Sequence, residues 1–360
     1  MAVPSGPAEV VARLRDAAGE GVLRFDRFME LALYSPGGFY DSDVPALGPA
    51  GAFYTAAHVT PLFGAALARR LEQEQRRLGI DRPFRVVELG PGDGTLAFDV
   101  AHALPAGGPA WEWTFVERSP RLRAGLKARI AAEGAGTPVT FGFSDALGER
   151  GTFVGAVVAN EFLDALPFRR VVRRGAEWRE LGVRWAGSRF EWAEEPGPSR
   201  VPGEPLPDAE DGTRYELLER SEGSLREVAD HLAEGVALFL DYGASTGELV
   251  RGHPSGTLAA LRAHQAVDPL DAPGTADLSA FVDFTRVRAA AVRAGLVERS
   301  FRRQSEALAE WGFGDLLEAA AGRAPSAEAT VKLRLAAKNV LFGFDTFQVL
   351  ELASGRSATS

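Results

Sequence analysis

The sequence predicts an α/β fold on a mostly parallel sheet, and three observations predict it. Phe84 to Leu89 is a short apolar run rich in valine that passes into Gly90-Pro91-Gly92-Asp93-Gly94, and then into Leu96 to His102 at helical spacing. Three further strand candidates, Trp111 to Glu117, Pro138 to Phe143 and Val154 to Ala159, alternate with helical stretches, which implies parallel strands joined by right-handed crossovers. With 360 residues, 46% of them hydrophobic, the chain is long enough for one large α/β domain with insertions or for two domains.

Taken in order, Val10 to Leu23 reads as a helix and Phe25 to Tyr34 as a second, ended by Ser35-Pro36-Gly37-Gly38. A loop rich in Gly, Pro and Ala leads to Phe53-Tyr54-Thr55 and an amphipathic helix from Pro61 to Leu78, completing an N-terminal helical lid over 1–83. The first part of the sheet core occupies 84–168. Arg169 to Arg174, Glu177 to Val183 and Ser188 to Ala193 then read as antiparallel strands with turns at Gly175 and Gly187, within an inserted β-rich subdomain over 169–222. The arginines of Arg169 to Arg174 flank a pair of valines and read as a solvated face. A helix from Ser224 to Ala233 returns the chain to a fifth core strand, Val236 to Asp241, in a second core part over 223–360 that carries an insertion around 252–280. After a helix from Phe281 to Ala294, Val297 to Arg302 and Asp345 to Leu352 form a closing antiparallel pair, giving seven strands. Five parallel strands with such a pair make the Rossmann-like sheet of class I methyltransferases.

Composition narrows the chemistry. Forty basic against 49 acidic residues give a formal charge of -9 with no segregation of sign, which argues against a nucleic-acid partner. With no cysteine there is no thiol nucleophile, disulfide or cysteine-ligated zinc, and the five histidines are too scattered for a metal motif. No apolar run has the length of a membrane span, and the N-terminus lacks a signal-peptide core and carries Glu9, Asp16 and Glu20. The expectation is a cytoplasmic protein without metal, monomeric or homodimeric.

The glycine turn departs from a dinucleotide fingerprint, because its third glycine is Gly94 rather than residue 95, and Glu88 closes the strand before Gly90. The pattern E-x-G-x-G-x-G favours S-adenosyl-L-methionine over NAD. That ligand has no pyrophosphate, so Gly90, Pro91, Gly92, Gly94 and Thr95 make room for it while carboxylates receive its donors. Glu117, ending the next strand, is placed to accept both ribose hydroxyls. Asp145, with Ala146, follows the third strand and either reads the adenine amino group or caps a short helix from Ala146 to Glu149.

Asn160, Glu161 and Asp164 follow the fourth strand, at the carboxyl edge where open α/β sheets bind ligands. Asn160 and Glu161 are assigned to the boundary between cofactor and methyl acceptor, with Asp164 helping to position the loop or the acceptor; alternatively, Asn160 and Asp164 cap the next helix. His264 is either a general base or a structural histidine bonded to Asp268 or Asp277. His58 is either an exposed cap residue or a base. Tyr34, Tyr40, Phe53 and Tyr54 either wall an acceptor pocket or pack the lid.

Several segments together resemble the MidA-like methyltransferase family: Phe28-Met29-Glu30-Leu31-Ala32-Leu33-Tyr34-Ser35-Pro36 with Gly38-Phe39-Tyr40, Glu88 to Leu96, Val116-Glu117-Arg118-Ser119-Pro120, and Asp241-Tyr242-Gly243. More specific are Asn160-Glu161-Phe162-Leu163-Asp164-Ala165-Leu166-Pro167 and the segment from Gly256-Thr257-Leu258 through His264, Asp268-Pro269, Pro273-Gly274 and Asp277 to Val282-Asp283-Phe284. The resemblance covers nearly the whole chain. It implies a class I S-adenosyl-L-methionine-dependent methyltransferase with S-adenosyl-L-homocysteine as product, and a protein arginine as acceptor, as in mitochondrial members that methylate a subunit of respiratory complex I. It further implies Thr55 at the cofactor, Asp241 and Tyr242 at the acceptor, and an acceptor-side role for the 252–280 insertion. Two acids usual in the family are replaced, by Ala52 and within Ala56-Ala57-His58, which favours a small-molecule O- or N-methyl acceptor as the alternative. A cofactor-binding assembly protein without turnover is the second alternative.

Overall fold

The structure, a computed structural model, describes residues 7–42, 56–80, 82–105, 107–147, 152–203 and 205–355. The chain forms two compact units, each assembled from three stretches: Met1–Phe53, Leu163–Gly223 and Gly243–Ala290 in the first, and Tyr54–Phe162, Ser224–Tyr242 and Ala291–Ser360 in the second.

The second unit holds the main sheet. Its parallel strands are β1 (Phe84–Leu89), β2 (Trp111–Val116), β3 (Val139–Ser144), β4 (Phe153–Asn160) and β9 (Leu232–Ala244), closed by β14 (Leu296–Arg303) and β15 (Phe347–Ser354) in the order β14-β15-β9-β4-β1-β2-β3. Only β15 runs against its neighbours, with Leu350 opposite Phe239 and Phe301. The expected parallel sheet with its closing antiparallel pair is therefore present. Parallel strands are covered on both faces, which is why β1, β4 and β9 read as near-continuous apolar runs.

Helices α3 (Ala56–Val59), α4 (Leu62–Leu78), α5 (Thr95–Ala103), α6 (Pro120–Glu133), α10 (Gln304–Glu310), α11 (Phe313–Gly322) and α12 (Ala327–Lys338) belong to this unit. Ser119 caps α6 by accepting the Leu122 amide, with Pro120 at the first helical position, and α4 stops at Gly79, whose φ of +61° few other residues adopt. The buried face of α4 joins a core with Phe84, Trp113, Phe115 and Val158. Its Arg70 donates to Glu351 on β15 at 2.8 Å and its Glu74 accepts from Arg299 on β14 at 2.8 Å, so the charges that α4 buries are compensated.

The first unit contains α1 (Pro7–Ala18), α2 (Phe25–Tyr34), a 3-10 turn (Phe39–Asp41) and the antiparallel sheet β7-β6-β5-β8, formed by β5 (Arg169–Arg174), β6 (Glu177–Trp185), β7 (Phe190–Glu194) and β8 (Arg214–Leu217). Leu23 was expected to lie in the first helix. That helix ends at Ala18, before Gly19 at φ +53°, and Leu23 bridges to Val183 on β6. A three-stranded sheet pairs β10 (Ala259–Arg262) with β11 (Gln265–Ala266) and β12 (Asp277–Ser279), while β13 (Val282–Asp283) pairs with Gly243 and Ala244. The remaining helices are α7 (Arg220–His231), which begins four residues earlier than expected, α8 (Thr246–Gly252) and α9 (Phe284–Arg293).

The reading of Arg169 to Arg174 as a solvated face is corrected. Arg169 and Arg170 are 8% and 3% exposed; Arg169 pairs with Glu180 and Glu219, and Arg170 with Glu216 at 2.9 Å while facing the Trp192 ring. Glu180 and Glu216 lie on β6 and β8, the strands flanking β5, and a local charge pattern does not reveal them. Among the described residues no helix is long and apolar enough to cross a membrane.

Candidate active site

In the second unit β1 delivers the glycine turn to the carboxyl edge of the sheet. Gly90, Gly92 and Gly94 have φ of +63°, +58° and +80°, which only glycine adopts without strain. A side chain at Gly90 would meet the Phe162 ring at 2.9 Å, and one at Gly94 would meet Leu126 at 2.6 Å. The turn is pinned by the Gly90 amide on the Val116 carbonyl at 3.1 Å and by Asp93, whose Oδ1 accepts the Thr95 amide at 3.0 Å. Arg129 on α6 donates to the Asp93 carbonyl and to Thr95 Oγ1, each at 3.0 Å. Pro91 is buried within the turn.

His58, on α3, donates from Nε2 to Asp93 Oδ2 at 3.0 Å. Burial alone would raise the Asp93 carboxyl, but the His58 and Thr95 hydrogen bonds outweigh it and hold the group down at about 2. The exposed-cap reading of His58 is corrected: its side chain is 9% exposed and engaged by the turn. Asp93 and Arg129 did not emerge as site residues from the sequence, although Asp93-Gly94-Thr95 carries the signature of an aspartate bonding the backbone two residues on.

Glu88 and Glu117 end the first two strands. Glu88 is 3% exposed, accepts Trp113 Nε1 at 2.9 Å, and is pushed to about 8 by burial, with the Asp93 and Glu117 charges adding to the rise. Glu117 is 7% exposed and stands at about 7, because burial outweighs the Ser119 and Arg118 amides and the nearby arginine charges. Its Oε1 accepts the Ser119 amide at 2.8 Å. Asp145 and Ala146 are exposed; Asp145 pairs with Arg123, and the Ala146 carbonyl accepts Ser144 Oγ at 2.6 Å. The short helix expected over Ala146 to Glu149 extends outside the described residues.

At the end of β4, Glu161 is held at φ +48° by its amide on the Leu240 carbonyl at 2.8 Å. Its Oε1 accepts the Ala56 amide at 3.3 Å and Asn160 Nδ2 at 3.5 Å. A carboxylate accepts only, so the Asn160 amide turns its nitrogen to Glu161. Asn160 Oδ1 is then left buried with no hydrogen-bond partner among the described residues. Asp241, on β9, is 1% exposed and accepts the Tyr242 amide, and the Tyr242 ring lies 5.4 Å from that of Phe347.

The first unit gathers Tyr34, Tyr40 and Asp164 with Asp277, which the sequence offered within a family-like segment and as a partner for His264. Tyr34 and Tyr40 stack at 5.2 Å, Tyr40 donates to Asp277 at 2.8 Å, and Tyr34 donates to the Ala165 carbonyl at 2.7 Å. Asp164 is 7% exposed and lies in a loop, not at the start of a helix. His264 is exposed in the two-residue turn between β10 and β11, at φ +61° after Ala263 at +50°. Phe53, Tyr54 and Thr55, together with Ala52, lie outside the described residues.

The glycine cradle, the two buried acids at successive strand ends and the Asn160 carbonyl oxygen, which has no partner among the described residues, fit a nucleoside cofactor with hydroxyl and ammonium donors. Residues 66–301 match the sequence pattern of a family described as "Putative S-adenosyl-L-methionine-dependent methyltransferase". The Protein arginine methyltransferase NDUFAF7 homolog, mitochondrial, of Drosophila melanogaster is 30% identical over 317 residues, 79% of this chain and 70% of that protein. The Homo sapiens Protein arginine methyltransferase NDUFAF7, mitochondrial, is 28% identical over 300 residues, 74% of this chain and 65% of that protein. A Burkholderia thailandensis protein crystallised with S-adenosyl-homocysteine superposes with a TM-score of 0.83 at 30% identity, covering 99% of this chain and 96% of that one. The mitochondrial relatives correct the cytoplasmic placement expected above, since composition and an acidic N-terminus do not fix a compartment. With the matched pattern covering well over half of its length, the chain belongs to this family of S-adenosyl-L-methionine-dependent methyltransferases.

Proposed function

We propose that the chain methylates a nitrogen of a protein arginine side chain. The observation that carries the reading is the Asn160–Glu161 pair at the end of β4: a carboxylate fixed by two N–H donors beside a buried carbonyl oxygen still able to accept a hydrogen bond. A carboxylate is the natural partner of a guanidinium, and the arginine methyltransferase names of the relatives support that acceptor. Gly90, Pro91, Gly92, Gly94 and Thr95 would hold the cofactor's amino-acid and ribose portions, Glu117 the ribose hydroxyls, Glu88 its donors and Asp145 with Ala146 the adenine. Asp241 and Tyr242 in the second unit and, separately, Tyr34, Tyr40 and Asp164 in the first are proposed as acceptor residues.

S-adenosyl-L-methionine, when bound, would supply an electrophilic methyl on a sulfonium, whose carbon–sulfur bond breaks to leave S-adenosyl-L-homocysteine as the neutral thioether. Glu161 pairs with the guanidinium, orients one nitrogen for in-line attack and receives the proton that nitrogen sheds as its bond to carbon forms. His58, which suggested a base for a neutral small molecule, is already engaged by Asp93.

The test is transfer of tritiated methyl from S-adenosyl-L-methionine to arginine-containing peptides, followed by hydrolysis and identification of methylarginine. Glu161→Gln should lower turnover by about 100-fold or more, while calorimetric affinity for S-adenosyl-L-homocysteine stays within about twofold. Label found only in small molecules would establish the alternative acceptor. Biological rescue by Gly92→Val, which should not bind cofactor, would establish a scaffold role.

A further inference from the structure

Asp277 lies on β12 in the first unit, 5% exposed, and has no part in the chemistry proposed above. Its Oδ1 accepts the Tyr40 hydroxyl at 2.8 Å; Tyr40 stacks on Tyr34, and the Tyr34 hydroxyl donates to the Ala165 carbonyl at 2.7 Å. The adjacent carbonyl, that of Asp164, accepts the amide of Ala280, one residue past β12, at 3.2 Å. Two consecutive carbonyls of the loop are therefore held, one through the ring stack that Asp277 anchors and the other by the segment leaving its strand.

We infer that Asp277 is a positioning residue that fixes, through Tyr40 and Tyr34, the loop carrying Asp164. Its bearing on methyl transfer rests on the reading of Asp164 as an acceptor-side acid; the anchoring itself does not. The anchor also responds to pH. Burial pushes the Asp277 carboxyl up, the Tyr40 hydroxyl opposes this, the Asp164 charge adds to the rise and the Leu278 amide opposes it, leaving the group at about 7. A carboxyl raised in the folded state contributes stability that is complete below its ordinary value near 4 and is lost as pH rises through 7. Ionisation of Asp277 is then opposed by the Asp164 charge, and the loop loosens.

The experiment is hydrogen exchange by mass spectrometry on the full chain between pH 6 and 8, corrected for intrinsic exchange rates, following Leu163–Pro167 and Asp277–Val282 with β1 and β4 as controls. Wild-type protection in those two segments should fall by up to about tenfold across the range, the most that one group titrating near 7 provides. Asp277→Asn, which keeps a hydrogen-bond acceptor, should stay protected without pH dependence. Asp277→Ala and Tyr34→Phe should lose about tenfold or more in these segments alone. Unchanged protection in Asp277→Ala, or loosening that extends equally to β1 and β4, would overturn the inference. Asp164→Asn in the transfer assay tests the acceptor reading separately, and titration of the same samples with S-adenosyl-L-homocysteine tests the cofactor site, so each failure is recognisable.

Discussion

Cofactor affinity should depend on pH through Glu117. This carboxyl is 7% exposed and stands at about 7 because burial outweighs its amide and arginine partners. Receiving two ribose hydroxyls requires the ionised form, because a protonated carboxyl surrenders acceptor capacity to its own O–H. With a pKa of about 7, roughly a tenth of the protein carries ionised Glu117 at pH 6 and roughly nine tenths at pH 8, so affinity should rise about tenfold, about 1.4 kcal/mol, between them. Calorimetric titration with S-adenosyl-L-homocysteine at pH 6, 7 and 8 measures this directly. At pH 7, buffers of different ionisation enthalpy should report release of about half a proton per ligand bound. Glu117→Gln should bind more weakly and lose most of the pH dependence, any remaining slope toward pH 8 belonging to Glu88. A wild-type affinity flat from pH 6 to 8, or the same slope in Glu117→Gln, would refute the assignment of Glu117 to the ribose.

Three further outcomes are expected. Gly94→Ala forces alanine to φ +80° with its Cβ 2.6 Å from Leu126, so urea unfolding should show a loss of about 2–4 kcal/mol, combining left-handed strain with overpacking. Arg170→Ala strands the buried Glu216 carboxylate and should cost about 3–5 kcal/mol in the same assay, much of it recovered when Glu216→Leu accompanies Arg170→Met. Asp93, held at about 2, contributes stability that is present above its ordinary carboxylate range and lost as pH falls through 2; His58→Ala should therefore flatten the fall in thermal midpoint between pH 5 and 3.

The sequence by itself determined the main sheet and the turn that ends β1. Both are written locally: valine-rich runs of strand length, and three glycines where the backbone must take positive φ. It also brought Glu88, Glu117, Asn160 and Glu161 to one sheet edge, because each ends or follows a parallel strand. Tertiary structure alone decided which of these groups are engaged and by what. His58 meets Asp93 across 35 residues, Arg70 meets Glu351 across 281, and Tyr40 meets Asp277 across 237. It moved Arg169 and Arg170 from an expected solvated face into buried ion pairs, and it showed β8, β10, β11, β12 and β13, which are too short and too polar to stand out by periodicity. The physical reason is the same in each case: backbone preference acts over a few residues, whereas burial, charge compensation and the carboxyl shifts that follow depend on partners that only the folded chain brings within hydrogen-bonding distance.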